Sequence, residues 1–217
     1  MKNEFLRRNY TFDIRAEKKD GDESGGKYTL FGVPIVYNSR TDIGWFDEII
    51  EKGALDKTDL KDVRFLVNHD LSKIPLARSR NNNKNSTMRL KVTDNGLEVE
   101  IDLDADNNTD ARNLYSAVTR GDITGMSFMF GVDGEEWEDL ESDHPTRRIK
   151  AISTVVEVSA VTFPAYEATE IYARDKTALD NAKTALDNAR AAVDTANAKA
   201  KEKRELELLK EKAKLYY

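Results

Sequence analysis

Three short stretches carry residue types that can work together on an acyl group. VRFLVNHD (63–70) contains His69, GDITGMSFMFGV (121–132) contains Ser127, and STVVEVSAVTFPAY (153–166) contains Glu157. A hydroxyl is a weak nucleophile at neutral pH and needs an adjacent base. An imidazole can be that base if a third group holds it in one tautomer. Each stretch also has a plainer reading. Val63, Phe65, Val67 and His69 share one face of an alternating run, so His69 sits at the rim of a core, either as a satisfied core histidine or as a functional one. Met126, Phe128 and Phe130 form the bulky face of the second run. Ser127 then lies on the less crowded side, as an ordinary strand serine or as a nucleophile. Glu157 interrupts an apolar β-branched run. It either faces solvent from an edge strand or is buried and requires a charge-assisted partner.

The remaining motifs are weaker. His144, the second of two histidines, stands among acids next to a proline in ESDHPT and reads as a surface-loop residue. The stretch from Gly21 to Lys27 matches G-x-x-x-x-G-K, but Tyr28 replaces the required Ser or Thr, and Asp22 and Glu23 would repel phosphate. It reads as a flexible hairpin loop. Asp102, Asp104 and Asp106 have calcium-loop spacing, yet Asn107 and Asn113 occupy the positions that need Gly and Glu. The chain contains no cysteine, which removes disulfides, thiolate zinc sites and a cysteine nucleophile. The expectation is no metal and no cofactor.

Such residues need a scaffold, and the pattern predicts an α+β, β-rich one. Strands are expected over 10–15 and 27–37, around the polar loop KKDGDESGG. Further strands are expected at 63–68, 87–92, 97–103, 123–132 and 149–162. Asp94-Asn95-Gly96 marks a hairpin turn between the fourth and fifth. FDEIIEKGAL (46–55) reads as a short helix stopped near Gly53. Asn108 or Thr109 caps a helix to about Arg120, with Gly121 as its stop. DGEEWEDLESDHPT (133–146) reads as an exposed acidic connection. Many short strands with few helices suggest a closed or half-closed barrel.

Composition changes near Arg174, which divides the chain into residues 1–174 and a helical tail, 175–217. KTALDNA occurs twice in succession there, followed by RAAVDTA. Leu179, Ala182, Leu186, Ala189, Val193, Ala196 and Ala200 alternate three and four apart, a heptad seam that breaks near residue 201. The tail reads either as a solvated helix or as one that pairs with a partner helix.

Charge and hydropathy exclude some classes. A net charge of −6 over 217 residues argues against general nucleic-acid binding. No apolar stretch approaches a membrane span, and the first residues lack the apolar core of a secretory signal.

In their order, these stretches resemble the tailed-phage prohead (capsid maturation) protease family. The resemblance runs from about Phe12 to Ala173 and rests on YTLFGVPIVYN, FDEIIEKGAL, VRFLVNHD with IPLARS, NGLEVEIDL, RGDITGMSFMF and VVEVSAVTFPAYEAT. It implies a fold similar to herpesvirus assemblin, with His69 as general base, Ser127 as nucleophile and Glu157 as the acidic third member. It also implies, by looser analogy, that Arg78 assists a developing oxyanion. The expected activity is serine endopeptidase cleavage of major capsid protein and scaffolding segments, and of the protease itself, inside the viral prohead. The helical tail would serve scaffold or self association. The alternative is a non-catalytic scaffold or capsid-assembly module on the same fold. Two positions depart from the family pattern: Ala77 in PLARS and Met129 in SFMF each stand where glycine is usual.

Overall fold

The computed structural model describes residues 5–10, 14–19, 27–162 and 176–214. The expected phosphate-loop-like stretch, the middle of the strand expected at 10–15 and the boundary near Arg174 lie outside the described residues. Eleven strands and two helices are described. They are β1 (Phe5–Tyr10), β2 (Arg15–Lys19), β3 (Lys27–Val36), β4 (Arg40–Asp42), β5 (Asp47–Ile50), β6 (Asp62–Val67), β7 (Ala77–Arg80), β8 (Met88–Val92), β9 (Gly96–Leu103), α1 (Thr109–Arg120), β10 (Gly125–Glu138), β11 (Thr146–Val161) and α2 (Lys176–Lys214).

The strands form two sheets. The larger has the order β1-β10-β11-β5-β4, and the β6–β7 pair joins the far end of β11. The smaller has the order β2-β3-β9-β8. Neither sheet closes on itself among the described residues. The barrel-like expectation holds in a looser sense. β3 lies against β10 and β7 against β8, so both sheets enclose one apolar core with Leu30, Ile101, Phe65, Phe128 and Leu114 of α1.

β11 organises the larger sheet. It pairs antiparallel with β10 along nearly its whole length. Its other edge takes β5 near its start, through Thr146↔Asp47 to Ile149↔Ile50. It takes β6 near its end, through Glu157↔Arg64 to Ala160↔Val67. Flanked on both edges, β11 is a central strand, and from Glu157 to Val161 every one of its residues is buried.

Two expectations are corrected. FDEIIEKGAL is no helix: Asp47–Ile50 is strand β5, followed by turns. Its apolar spacing fits a helix, but β5 bonds to β4 on one side and β11 on the other, and such pairing overrides local propensity. Gly53 does mark a stop, at φ +94°. Half of the acidic stretch at 133–146 is ladder. Its first residues extend β10, and Glu135, Glu136 and Glu138 pair across the hairpin with Arg147, Lys150 and Arg148. α1 follows its sequence signals. The Asn108 side chain accepts from the backbone N–H groups of Asp110 (2.9 Å) and Ala111 (3.2 Å), and Gly121 ends the helix at φ 79°.

α2 docks by its first part alone. Ala182 and Leu186 bury against Ile43 and Phe46, with Trp137 and Leu140 alongside. Arg190 clamps the β10–β11 turn, donating to the carbonyls of Leu140 (3.0 Å) and Ser142 (2.8 Å). From Asp194 to Lys212 every residue is exposed. The heptad seam thus begins on the chain's own domain rather than on another helix. No helix among the described residues is long and apolar enough to cross a membrane.

Candidate active site

β6 ends at Val67, one residue before the pattern predicts. Asn68 and His69 then adopt left-handed backbone, at φ 52° and 58°, which non-glycine residues rarely do. His69 is therefore placed by a turn and not by strand alternation. Asn68 secures that turn. Its backbone N–H donates to the Ala160 carbonyl (2.9 Å), its Oδ1 accepts from the Thr162 N–H (2.9 Å), and its Nδ2 donates to Thr162 Oγ1 (2.9 Å).

The turn directs the imidazole onto the β10–β11 ladder, where the register sets Ser127 opposite Ser159 and Met129 opposite Glu157. Because side chains alternate across a sheet, these residues share a face. His69 Nε2 lies 2.5 Å from Ser127 Oγ, and His69 Nδ1 is hydrogen-bonded to Glu157 Oε1. An ionised carboxylate only accepts, so Nδ1 carries the proton and Nε2 presents its lone pair to the serine hydroxyl. Glu157 is fully buried, and such a carboxylate needs compensating donors. The second donor is the Ser159 hydroxyl, 2.6 Å from Glu157 Oε2. Ser159 Oγ also accepts the His69 backbone N–H at 3.2 Å.

His69, Ser127 and Glu157, far apart in sequence, thus form one hydrogen-bonded chain. The solvent-facing reading of Glu157 is excluded by its burial. Ser159 was missed by sequence reasoning. The available signal was its position two residues after Glu157, hence on the same face. Met129 and Ala77, the two departures from the family pattern, are both buried, at 7% and 3% exposure.

Arg78 stands apart from this chain of bonds. Its Nε and Nη2 donate to Asp62 at 2.6 and 2.7 Å, across the β6–β7 pair. The bond from Arg78 holds the Asp62 carboxyl below its ordinary range, and Asp62 holds the Arg78 guanidinium above its own. His144 lies on the surface beside Asp42 and Asp47, and Arg40 already pairs with Asp47 at 2.6 Å. Asp102 is held by Thr29 and Arg89, and Asp104 caps the turn at Asn107. Two of the three carboxylates with calcium spacing are thus engaged in internal bonds.

Next to the His69 turn, a cleft of about 430 Å³ opens between β6 and α1, with Leu66, Val67, Leu76, Leu114 and Ile123 among its apolar walls. Ile74 stands at its edge, 84% exposed.

A model of the caudovirus prohead serine protease family matches residues 12–184. The solved structure of the bacteriophage T4 capsid assembly protease is similar over 74% of this chain and 98% of that chain, with 11% identity and a TM-score of 0.46. No curated protein sequence matches the chain.

Proposed function

Because the chain belongs to the caudovirus prohead serine protease family, we propose that it is a serine endopeptidase of phage capsid maturation in which Ser127 attacks, His69 transfers the proton and Glu157 holds the imidazole. The observation that carries this reading is the His69 ring bonded to Ser127 Oγ on one side and Glu157 on the other. His69 Nε2 takes the Ser127 proton as Oγ bonds to the scissile carbonyl carbon. It then returns that proton to the leaving amine, leaving an acyl-enzyme that water hydrolyses by the same relay. Proton transfer of this kind is worth roughly 10²–10⁴-fold. Glu157 stabilises the imidazolium that forms between the two transfers.

The substrates proposed are major capsid protein and scaffolding segments, and the chain itself, cut inside the prohead. Residues 1–174 would form the catalytic unit and 175–217 the part that associates with scaffold or with another copy. Arg78 would serve a developing oxyanion only by exchanging Asp62 for substrate.

The test is intact-mass analysis of the chain co-expressed with its capsid and scaffold proteins, as wild type and as Ser127→Ala. Circular dichroism verifies the fold of the variant. The expected outcome is cut products from the wild type and a loss of at least about 10³-fold in the variant. If both chains leave the proteins intact inside assembled shells, the non-catalytic assembly module is the better reading. If both give the same products, another protease cuts and Ser127 is not the nucleophile.

A further inference from the structure

The β6–β7 ribbon turns Val63, Phe65, Ala77 and Ser79 inward, all buried. Its other face carries Asp62, Arg64, Arg78 and Arg80, with Asp62 opposite Arg80 and Arg64 opposite Arg78. The register joins this face to the candidate active site. Met129, Glu157, Arg64 and Arg78 are successive partners across β10, β11, β6 and β7. Partners across a sheet point to the same side, so these charges share a face with Ser127 and Glu157. They do not balance. Asp62 accepts from Arg78 at 2.6 and 2.7 Å and from Arg64 at 3.2 Å. The Arg78 bond, and further the charges of Arg64 and Arg80, lower its carboxyl. Glu157, the other cross-strand neighbour of Arg64, is held by His69 and Ser159. Arg80 is exposed and forms no ion pair among the described residues. Three guanidiniums thus share one carboxylate.

Like charges directly opposite each other weaken a ladder, and Arg64 and Arg78 are such a pair. The whole chain carries a net charge of −6, so this excess of cation is local. An incoming carboxylate relieves it, and the planar guanidinium fork fits a carboxylate in two parallel bonds. We propose that Arg64 and Arg80 form a subsite for acidic side chains of the peptide substrate, set away from the bond that is cut. The proposal rests on the reading of Ser127 as nucleophile. With strands about 4.8 Å apart and a rise of about 3.4 Å per residue, Arg64 lies about 12 Å and Arg80 about 20 Å from Ser127. An extended peptide covers those spans in about three to six residues. Arg64 keeps 38% of its side chain exposed, so both guanidiniums can be reached from solvent.

Binding is measured on the full chain carrying Ser127→Ala, so that nothing is cut. The probe is a fluorescent Ser/Glu peptide, compared with the same peptide in which glutamine replaces every glutamate. The expected result is that the Glu form binds at least about tenfold tighter at low salt, and that Arg64→Gln with Arg80→Gln abolishes the difference. Circular dichroism verifies the fold of that variant. Arg80→Gln alone breaks no ion pair and should lower the preference by about threefold or more, so it decides the matter if the double variant unfolds. Equal binding of the two peptides overturns the subsite, as does a preference that the substitutions leave unchanged. Tighter binding of a single-stranded oligonucleotide of matched charge also overturns it and makes the face a nucleic-acid surface. With Ser127 retained, Glu and Gln are exchanged at the stated distance from a mapped cut bond. The Gln form should raise KM with kcat little changed, and the Arg64→Gln/Arg80→Gln chain should not distinguish the two. A wild-type chain that cuts both forms alike overturns the subsite. A chain that binds the Glu peptide through Arg64 and Arg80 yet never cuts retains the acidic-peptide surface and refutes the protease reading.

Discussion

Glu157 is shared between two donors, the His69 imidazole and the Ser159 hydroxyl. Ser159→Ala would take a hydrogen bond from a fully buried carboxylate and the acceptor from the His69 backbone N–H. Unmade buried bonds of this kind cost about 1–3 kcal/mol. The variant should stay folded, lose stability in that range and lose about tenfold in kcat with KM little changed, whereas Ser159→Thr, which keeps the hydroxyl, should recover most of the rate. Steady-state kinetics beside thermal melts will check this, and a variant whose melt drops while kcat holds makes Ser159 structural only. Arg78 is tested through Asp62. The folded carboxyl is depressed by its Arg78 bond, so the pair's contribution is present above the unfolded carboxylate range and fades as pH falls through the folded value. Asp62→Asn should therefore be slightly destabilising near neutrality and neutral in acid, seen by denaturant titration at both pH values. It also frees Arg78: a rise in kcat supports an oxyanion role, and no change in either Asp62→Asn or Arg78→Ala assigns the pair to holding β6 against β7. At this scale the residue types were legible in the sequence, since few side chains can do this chemistry. The turn that aims His69 was not, because VRFLVNH alternates through residue 69 and hides the left-handed pair at Asn68 and His69. Ser159 was hidden by being one more serine in a strand.

At the scale of elements, the junction of β5, β10 and β11 is fastened by charge as well as by apolar packing. Arg147, 4% exposed, bonds to the fully buried Glu48 at 3.2 Å and to Glu135, and lies over the Trp137 ring at 5.7 Å. Arg147→Met would leave Glu48 short of its cation in a dry site, and breaking such a pair costs roughly 3–5 kcal/mol. Pairing the change with Glu48→Leu should recover much of that loss, a comparison made by denaturant melts of both variants. Gly96 is a second fixed point. Its φ is +146°, and a Cβ there would lie 1.9 Å from the Ile35 carbonyl oxygen. Gly96→Ala should disrupt the β3–β9 pairing and lower the melting temperature sharply; an unchanged melt would contradict that geometry. Hairpin and helix signals were readable here because Asp94-Asn95-Gly96, Asn108 and Gly121 act locally. β5 was misread because its state is set by pairing, with β4 just before it and with β11 about 100 residues on, and by a salt bridge to a residue 99 positions away.

At the scale of the whole molecule, α2 is half anchor and half projection. The heptad was legible, but its partner was not: repetition reveals an apolar stripe, while only the fold shows that Ile43 and Phe46 meet it first. The projecting turns carry Leu206, Leu208 and Leu209 at 52–63% exposure. Ending the chain after Val193 keeps Ala182, Leu186 and Arg190 in place. It should leave the melting temperature nearly unchanged while abolishing incorporation into shells; normal incorporation would remove the association role from this half.

The order of the segments along the chain also has a consequence for synthesis. His69 and Glu157 are 88 residues apart, and β1 must wait for a partner about 120 residues downstream. At about 5–20 residues per second, that interval is on the order of ten seconds. Until β11 is made, the growing chain cannot bring Glu157 to His69, and distant pairings of this kind close late. The hydrogen-bonded set of His69, Ser127 and Glu157 is thus complete only after β11 has been made, with the whole of α2 still to follow.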